Sequence, residues 1–121
     1  MIPASIASLL TDEALEEAPL ARSKTIPSAW YVHPDFHAFD RDVVMARTWQ
    51  YVGPAERVRH HGDFMSDIIA GNPIVVIRDR EDELRAYFNV CKHRGGPLAM
   101  EECGHSKVLQ CKYHGWTYLV D

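Results

Sequence analysis

The sequence predicts a mostly β protein: a small antiparallel β-sandwich with two metal-binding loops at one tip, preceded by short helices. From Trp49 onward, short runs rich in β-branched and aromatic residues are separated by turn residues such as Gly, Pro and Asp. Ahead of Trp49, apolar residues recur at helical spacing. Towards the carboxyl end, cysteine and histidine occur in two closely spaced pairs, an arrangement typical of metal ligands on two loops.

The bulk composition limits the classes of function. With 121 residues, the chain is about one domain long and can bury a modest core. Its net charge of −4 gives no overall positive charge that would attract nucleic acid or an anionic membrane. The first residues lack the positive segment of a signal peptide, and no apolar run reaches the length of a membrane span. A cytoplasmic location is therefore expected.

Residues 1–27 are expected to form a peripheral arm, and residues 28–121 the metal-binding domain. In the arm, Thr11 is a candidate cap for a short helix that Pro19 closes.

Two segments follow before the first predicted strand. Residues 28–35 are predicted to be extended and then to turn, because a residue before proline is disfavoured in helical geometry. An amphipathic helix is predicted over residues 39–48, with Asp40 as a candidate cap. His33 and His37 are interpreted as polar surface residues and not as metal ligands.

Six runs are predicted as strands: residues 50–52, 64–69, 74–78, 84–90, 108–110 and 117–120. The third and fourth runs are expected to form a hairpin that ends directly at Cys91. The fifth run ends at Cys111 in the same way. His60 and His61 precede a Gly-Asp turn and are interpreted as a polar turn.

The two cysteine-histidine pairs carry the chemistry. One residue separates Cys91 from His93, two separate Cys111 from His114, and seventeen lie between the pairs. Thiolate with imidazole fits either structural zinc or a 2Fe-2S cluster. Zinc fingers usually bring their cysteines from one turn and their histidines from another, whereas each pair here has one of each. This order favours the cluster, with both cysteines on one iron and both histidines on the other, and zinc remains the alternative.

The charge of such a cluster predicts its role. Two ferric ions and two sulfides, bound by two thiolates and two neutral imidazoles, sum to zero formal charge. A neutral cluster accepts an electron more readily than one with four thiolates, which gives about −150 to +300 mV against about −400 mV for plant-type ferredoxins. One-electron transfer is therefore expected.

The pairs and their flanks resemble the Rieske domain of the ring-hydroxylating oxygenase family, found in the amino-terminal part of its alpha subunit. The flanking residues that carry the resemblance are Arg94, Gly95, Tyr113, Gly115 and Trp116. The similarity extends upstream to about Trp30, through residues 36–49, 53, 62–64, 73–78 and 89–90. The resemblance implies a Rieske-type sandwich with a 2Fe-2S cluster, in a family that includes aromatic-ring dioxygenases and enzymes acting on choline- or carnitine-like amines.

The resemblance also implies partners. Electrons would come from a reductase or ferredoxin, and the imidazoles would face the catalytic iron of a neighbouring alpha subunit in a homo-oligomer, typically a trimer. That mononuclear Fe(II) belongs to a downstream domain, which we expect to be absent here, with the last Rieske strands also cut short at Asp121. The expected function is the electron-transfer part of a Rieske monooxygenase or dioxygenase. The alternatives are a free-standing Rieske carrier and a zinc-stabilised structural domain.

Seven further residues are expected to form the cluster environment: Arg94, Gly95, Gly96, Pro97, Tyr113, Gly115 and Trp116. The glycines would let backbone N–H groups approach sulfur, the proline would stiffen its loop, and the aromatic rings would shield the cluster.

Lys92, Arg94 and Lys112 place positive charge on the two loops and are candidates for docking an acidic electron donor. Cys103 is expected to be a free thiol, because the second loop has no further cysteine for the disulfide of respiratory-type Rieske proteins.

Overall fold

The computed structural model describes residues 2–120, which form two compact units divided between Trp49 and Gln50. Within residues 2–120, no helix combines the length and apolar character that crossing a membrane requires. The boundary expected between residues 27 and 28 stays a prediction.

Short helices make up the amino-terminal unit. In order they are α1 (Ala4–Ala7), a 3-10 turn (Leu20–Arg22), α2 (Ser28–Val32), α3 (Pro34–Phe39), a π-helical turn (Asp40–Val44) and a 3-10 turn (Met45–Arg47). Phe36 is buried, and Trp30 stacks on it with 5.2 Å between ring centroids. Helical geometry over most of residues 39–48 is confirmed, but the helical run already begins at Pro34. Asp40 therefore lies inside the run, at φ −58° and ψ −49°, and is not the predicted cap.

The extended segment predicted over residues 28–35 is wrong, because two helices occupy it. His33 between them is extended (φ −76°, ψ 123°), as expected before a proline. Pro34 then starts α3, where its missing N–H leaves no hydrogen bond unmade. The His33 ring caps this helix: its Nδ1 accepts a hydrogen bond from the Asp35 amide at 3.2 Å.

Thr11 also acts as a cap, since its hydroxyl accepts a hydrogen bond from the Ala14 amide at 3.2 Å. A single turn follows it, however, instead of the predicted short helix.

The carboxyl-terminal unit contains two antiparallel sheets. Its strands are β1 (Asp63–Ile69), β2 (Asn72–Arg78), β3 (Leu84–Phe88), β4 (Cys103–His105), β5 (Val108–Gln110) and β6 (Thr117–Leu119). One sheet has the order β3-β2-β1-β4, and β5 pairs with β6. The predicted hairpin is confirmed as β2 and β3, with Ile74 opposite Phe88. The mostly β, antiparallel fold preceded by short helices is thus confirmed.

Two strand assignments differ from the prediction. Residues 50–52 form no strand and lead into a 3-10 turn, Ala55–Val58. Strand β4 was not predicted, because Gly104 at its centre is unfavourable in strands. Glycine is favoured at this position because the Phe64 ring lies against it: a Cβ on Gly104 would stand 2.9 Å from Phe64 Cζ.

The core lies between the two sheets. Alternate residues of β1 and β2 point to this side, as the two-residue period of a strand requires. The buried residues of this core are Phe64, Val75, Ile77, Ala99, Leu109 and Val120. On the other side of the larger sheet, Val58 packs on Met65 and Val76. The core therefore holds β5 and β6 against the larger sheet, whose strand β3 precedes Cys91.

A buried carboxylate organises the turn between β2 and β3. Asp79 Oδ1 accepts hydrogen bonds from the amides of Glu81 at 2.9 Å and Glu83 at 2.8 Å. Its Oδ2 accepts from Arg85 Nε at 2.7 Å. The bond from Arg85 is the main cause that holds the pKa of Asp79 below its usual value, with the two amides adding to it.

We expect Asp79→Asn to lower the Tm at neutral pH, because it removes the ion pair with Arg85. A lowered carboxyl pKa stabilises the fold fully above the unfolded pKa of about 4, and this stabilisation is lost as pH falls through the folded pKa. The Tm difference between parent and variant should therefore narrow below about pH 4 in circular dichroism melts. Asp82→Asn is the matched control, since Asp82 is exposed and its φ of 64° suits asparagine. A Tm difference independent of pH would contradict this account.

Candidate metal centre

The first cysteine-histidine pair lies on a loop that follows β3, residues 91–96, hereafter the first loop. The Cys91 amide donates to the Gly96 carbonyl at 2.7 Å, and the Gly95 amide donates to the Cys91 carbonyl at 2.8 Å. Gly95 has a φ of 72°, left-handed geometry that glycine adopts easily. These two hydrogen bonds close the loop on itself.

The second pair lies on residues 111–116, the second loop, which joins β5 to β6. It repeats the same bonds: the Cys111 amide donates to the Trp116 carbonyl at 2.9 Å, and the Gly115 amide donates to the Cys111 carbonyl at 2.9 Å. Gly115 also has a left-handed φ, of 73°. The loops therefore share one hydrogen-bonding pattern, although histidine is the third residue of the first loop and the fourth of the second.

The four predicted ligands meet as two like pairs. Cys91 and Cys111 are 2% and 3% exposed, and their thiols lie close enough to interact. His93 and His114 are exposed, with ring centroids 4.8 Å apart and ring planes at 76°. In residues 2–120, no three His, Cys, Asp or Glu side chains converge on the position of a single metal ion. The arrangement is a buried sulfur pair beside an exposed imidazole pair.

Tyr118 on β6 connects the loops, and sequence reasoning gave it no role. Its hydroxyl lies 3.2 Å from Cys91 Sγ and accepts a hydrogen bond from the Lys92 amide at 2.9 Å. The Tyr118 hydroxyl is the main cause that lowers the pKa of Cys91, with further contributions from the His93 and Arg94 amides, against an opposing effect of burial. The same contact raises the pKa of Tyr118. Cys91 is thus prepared to act as a thiolate, the form that binds metal.

Asn89, just after β3, is a second supporting residue to which the sequence assigns no role. It is buried, and its side-chain oxygen accepts from the amides of Leu98 at 2.9 Å and Ala99 at 2.8 Å. Its side-chain nitrogen donates to the Ala99 carbonyl at 2.7 Å. Asn89 therefore ties the segment after the first loop to the end of β3.

The residues predicted to surround the cluster make different contacts. A Cβ on Gly96 would lie 3.3 Å from Cys111 Sγ, so this glycine lets the loops approach. The Trp116 ring stacks on His93, and the Tyr113 ring lies 3.9 Å, centroid to centroid, from that of His114. Pro97 is exposed beside the first loop.

Charged residues of the loops are all cationic. Lys92, Arg94 and Lys112 are exposed, and none forms an ion pair within the described part of the chain. Cys103 lies exposed on β4 as a free thiol. His105, which is outside both loops, hydrogen-bonds to Asp63 at 3.0 Å.

Donor chemistry fits a 2Fe-2S group. Two thiols and two imidazoles, grouped in like pairs, match a cluster whose two irons take different ligands. A model of the Rieske [2Fe-2S] domain matches residues 48–121. The chain belongs to this family. The resemblance read from the sequence and the 2Fe-2S cofactor are thereby confirmed.

Similar proteins are monooxygenases and dioxygenases. Chloroplastic choline monooxygenase of Arabidopsis thaliana is 37% identical over 92% of this chain and 26% of its own length. The benzene 1,2-dioxygenase alpha subunit of Pseudomonas putida is 31% identical over 73% of this chain and 20% of its own. Naphthalene 1,2-dioxygenase from Rhodococcus sp., solved with indole bound, gives a TM-score of 0.84 at 27% identity, over 99% of this chain and 27% of that one. The chain thus spans about a quarter of the length of the relatives that it matches.

Because Gly96 faces Cys111, we expect Gly96→Val to lower the iron and sulfide bound per chain, since the added side chain separates the loops. Gly95→Asn is the matched control: a Cβ there meets no atom within 4 Å, and asparagine tolerates a φ of 72°. The measurement is iron and sulfide content after anaerobic reconstitution. Full cluster content in Gly96→Val would contradict the packing argument.

Proposed function

We propose that this chain is the electron-transfer domain of a Rieske oxygenase alpha subunit. Its ligands would be Cys91 and Cys111 on one iron and His93 and His114 on the other. The observation that carries this proposal is the juxtaposition of a buried sulfur pair and an exposed imidazole pair on two matching loops. When bound, the cluster supplies uptake and release of one electron.

The protein residues would bind, orient and shield. Tyr118 and the loop amides stabilise the Cys91 thiolate against burial. His93 and His114 are exposed. As ligands, each would bind iron through one ring nitrogen and leave the other available to an electron or proton partner. Electrons would leave through one of these imidazoles.

In the proposed enzyme, electrons would come from a reductase or ferredoxin and would pass to a mononuclear Fe(II) in a neighbouring alpha subunit of a homo-oligomer, such as a trimer. That iron would supply O2 activation for the hydroxylation of an organic substrate. The names of the relatives support this, since one is a monooxygenase and another an alpha subunit of a dioxygenase. A cytoplasmic location belongs to the same proposal.

The donor would dock on the loops. Residues 91–97 and 111–116 carry Lys92, Arg94 and Lys112 and no carboxylate, within a chain of net charge −4. This local positive surface suits an acidic redox protein.

Ligand variants test the proposed site directly. We expect the parent chain to bind equal iron and sulfide, and to give a Rieske-type EPR signal on reduction with dithionite. Cys91→Ser, Cys111→Ser, His93→Gln and His114→Gln should each abolish this signal and most bound iron, because each removes one of four ligands.

Cys103→Ser and His60→Gln are matched controls, since both residues are exposed and lie outside the two loops. They should retain the parent spectrum. Zinc in place of iron, or a full cluster in any ligand variant, would refute the assignment.

Neutralising Lys92, Arg94 and Lys112 together to Gln should slow reduction by an acidic 2Fe-2S ferredoxin about tenfold at low ionic strength, because electrostatic steering is lost. The salt dependence of the rate should flatten as well. Stopped-flow absorbance measures both quantities. A triple variant of Arg59, Arg80 and Lys107, exposed cations outside the loops, controls for net charge. Equal rates in both triple variants would contradict docking at the loops.

A further inference from the structure

The two loops differ at one informative position. The fifth residue after each cysteine, Gly96 in the first loop and Trp116 in the second, accepts the hydrogen bond from that cysteine's amide. The backbone role of this position is therefore the same in both loops, and glycine fulfils it. The indole of Trp116 is an addition that loop closure does not require.

That indole crosses to the other loop. Its ring lies parallel to the His93 imidazole, with an interplanar angle of 4° and 4.9 Å between centroids. Half of Trp116 is exposed, at 50%, so burial in the core does not explain its position. The stack is a contact between the loops, with one ring from each.

The two imidazoles are supported differently. His114 lies against Tyr113, its own neighbour in sequence, with planes tilted by 43°. His93 has Lys92 and Arg94 as its neighbours in sequence, and neither of them carries a ring. Within residues 2–120, no hydrogen bond fixes the His93 ring either. The final torsion of a histidine side chain is broad and needs outside contacts to define it.

We propose that Trp116 is a positioning residue for His93: its indole holds the imidazole of the first loop in one orientation and covers one ring face from water. This inference rests on the proposed ligand role of His93. Trp116 itself binds no metal, and its effect passes through the ring that it supports.

The test compares Trp116→Leu, which removes the ring, with Trp116→Phe, which keeps a stacking partner. Three quantities are measured on the cluster-loaded 121-residue chain: the g values of the reduced EPR signal, the midpoint potential, and the rate of cluster loss to a ferrous chelator. For Trp116→Leu we expect shifted or broadened g values, a shifted potential, and cluster loss about three- to tenfold faster, the range that one aromatic pair contributes. Trp116→Phe should remain close to the parent.

Phe88→Leu is the matched control, because it removes an aromatic ring that is 64% exposed outside both loops. Far-UV circular dichroism checks folding, and Trp116→Met is the second ringless variant if the leucine variant does not fold. Ringless variants identical to the parent in all three measurements would overturn the inference, as would a phenylalanine variant as impaired as they are. A folded ringless variant that takes up no cluster, while Trp116→Phe does, supports it. A parent chain without iron would instead refute the ligand assignment on which the inference rests.

Discussion

Burial of two thiols side by side is the constraint on which the rest of the site depends. A buried thiolate loses its hydration, and this raises its pKa unless hydrogen-bond donors replace the water. Around Cys91 the donors outweigh burial, because its pKa is lowered by the Tyr118 hydroxyl and by amides of its own loop. Those amides point at sulfur because the loop is closed, with its cysteine amide and carbonyl both engaged. Loop closure and thiolate stabilisation are therefore one structural property.

The candidate ligands and most of the strands around them could be identified from the sequence because their signals are local. Cysteine and histidine spacing identified four residues that the fold brings together, and turn residues marked the ends of most strands. The match between the loops could not be predicted in this way, since histidine follows cysteine at different distances in the two. The backbone pattern depends on Gly95 and Gly115, each four residues after its cysteine, and not on the histidines.

The supporting residues could not be predicted because their signals depend on topology. Tyr118 lies in a run that was correctly predicted as strand, but its contact with Cys91 requires β6 to lie beside the first loop. Asn89 resembles an ordinary residue at a strand end until the segment at Leu98 folds back onto it. Strand β4 also depends on a tertiary contact, because Gly104 at its centre leaves room for the Phe64 ring. The rule that a residue before proline avoids helical geometry held for His33. The prediction wrongly applied an extended conformation to the whole of residues 28–35.

The separation of buried thiols from exposed imidazoles also determines where positive charge lies at the site. The cysteines are buried, while the imidazoles and three cations that form no ion pair among residues 2–120 lie exposed on the same two loops. Because the whole chain is net negative, an acidic partner would be repelled by most of the surface and attracted at these loops. On the proposed ligand set, neutral imidazoles leave the oxidised cluster without formal charge, so the loop cations are not neutralised by the group that they surround. If these four residues are the ligands, long-range attraction and the most accessible ligands coincide, and the proposed electron exchange would take place at the imidazole face and not through the buried thiolates.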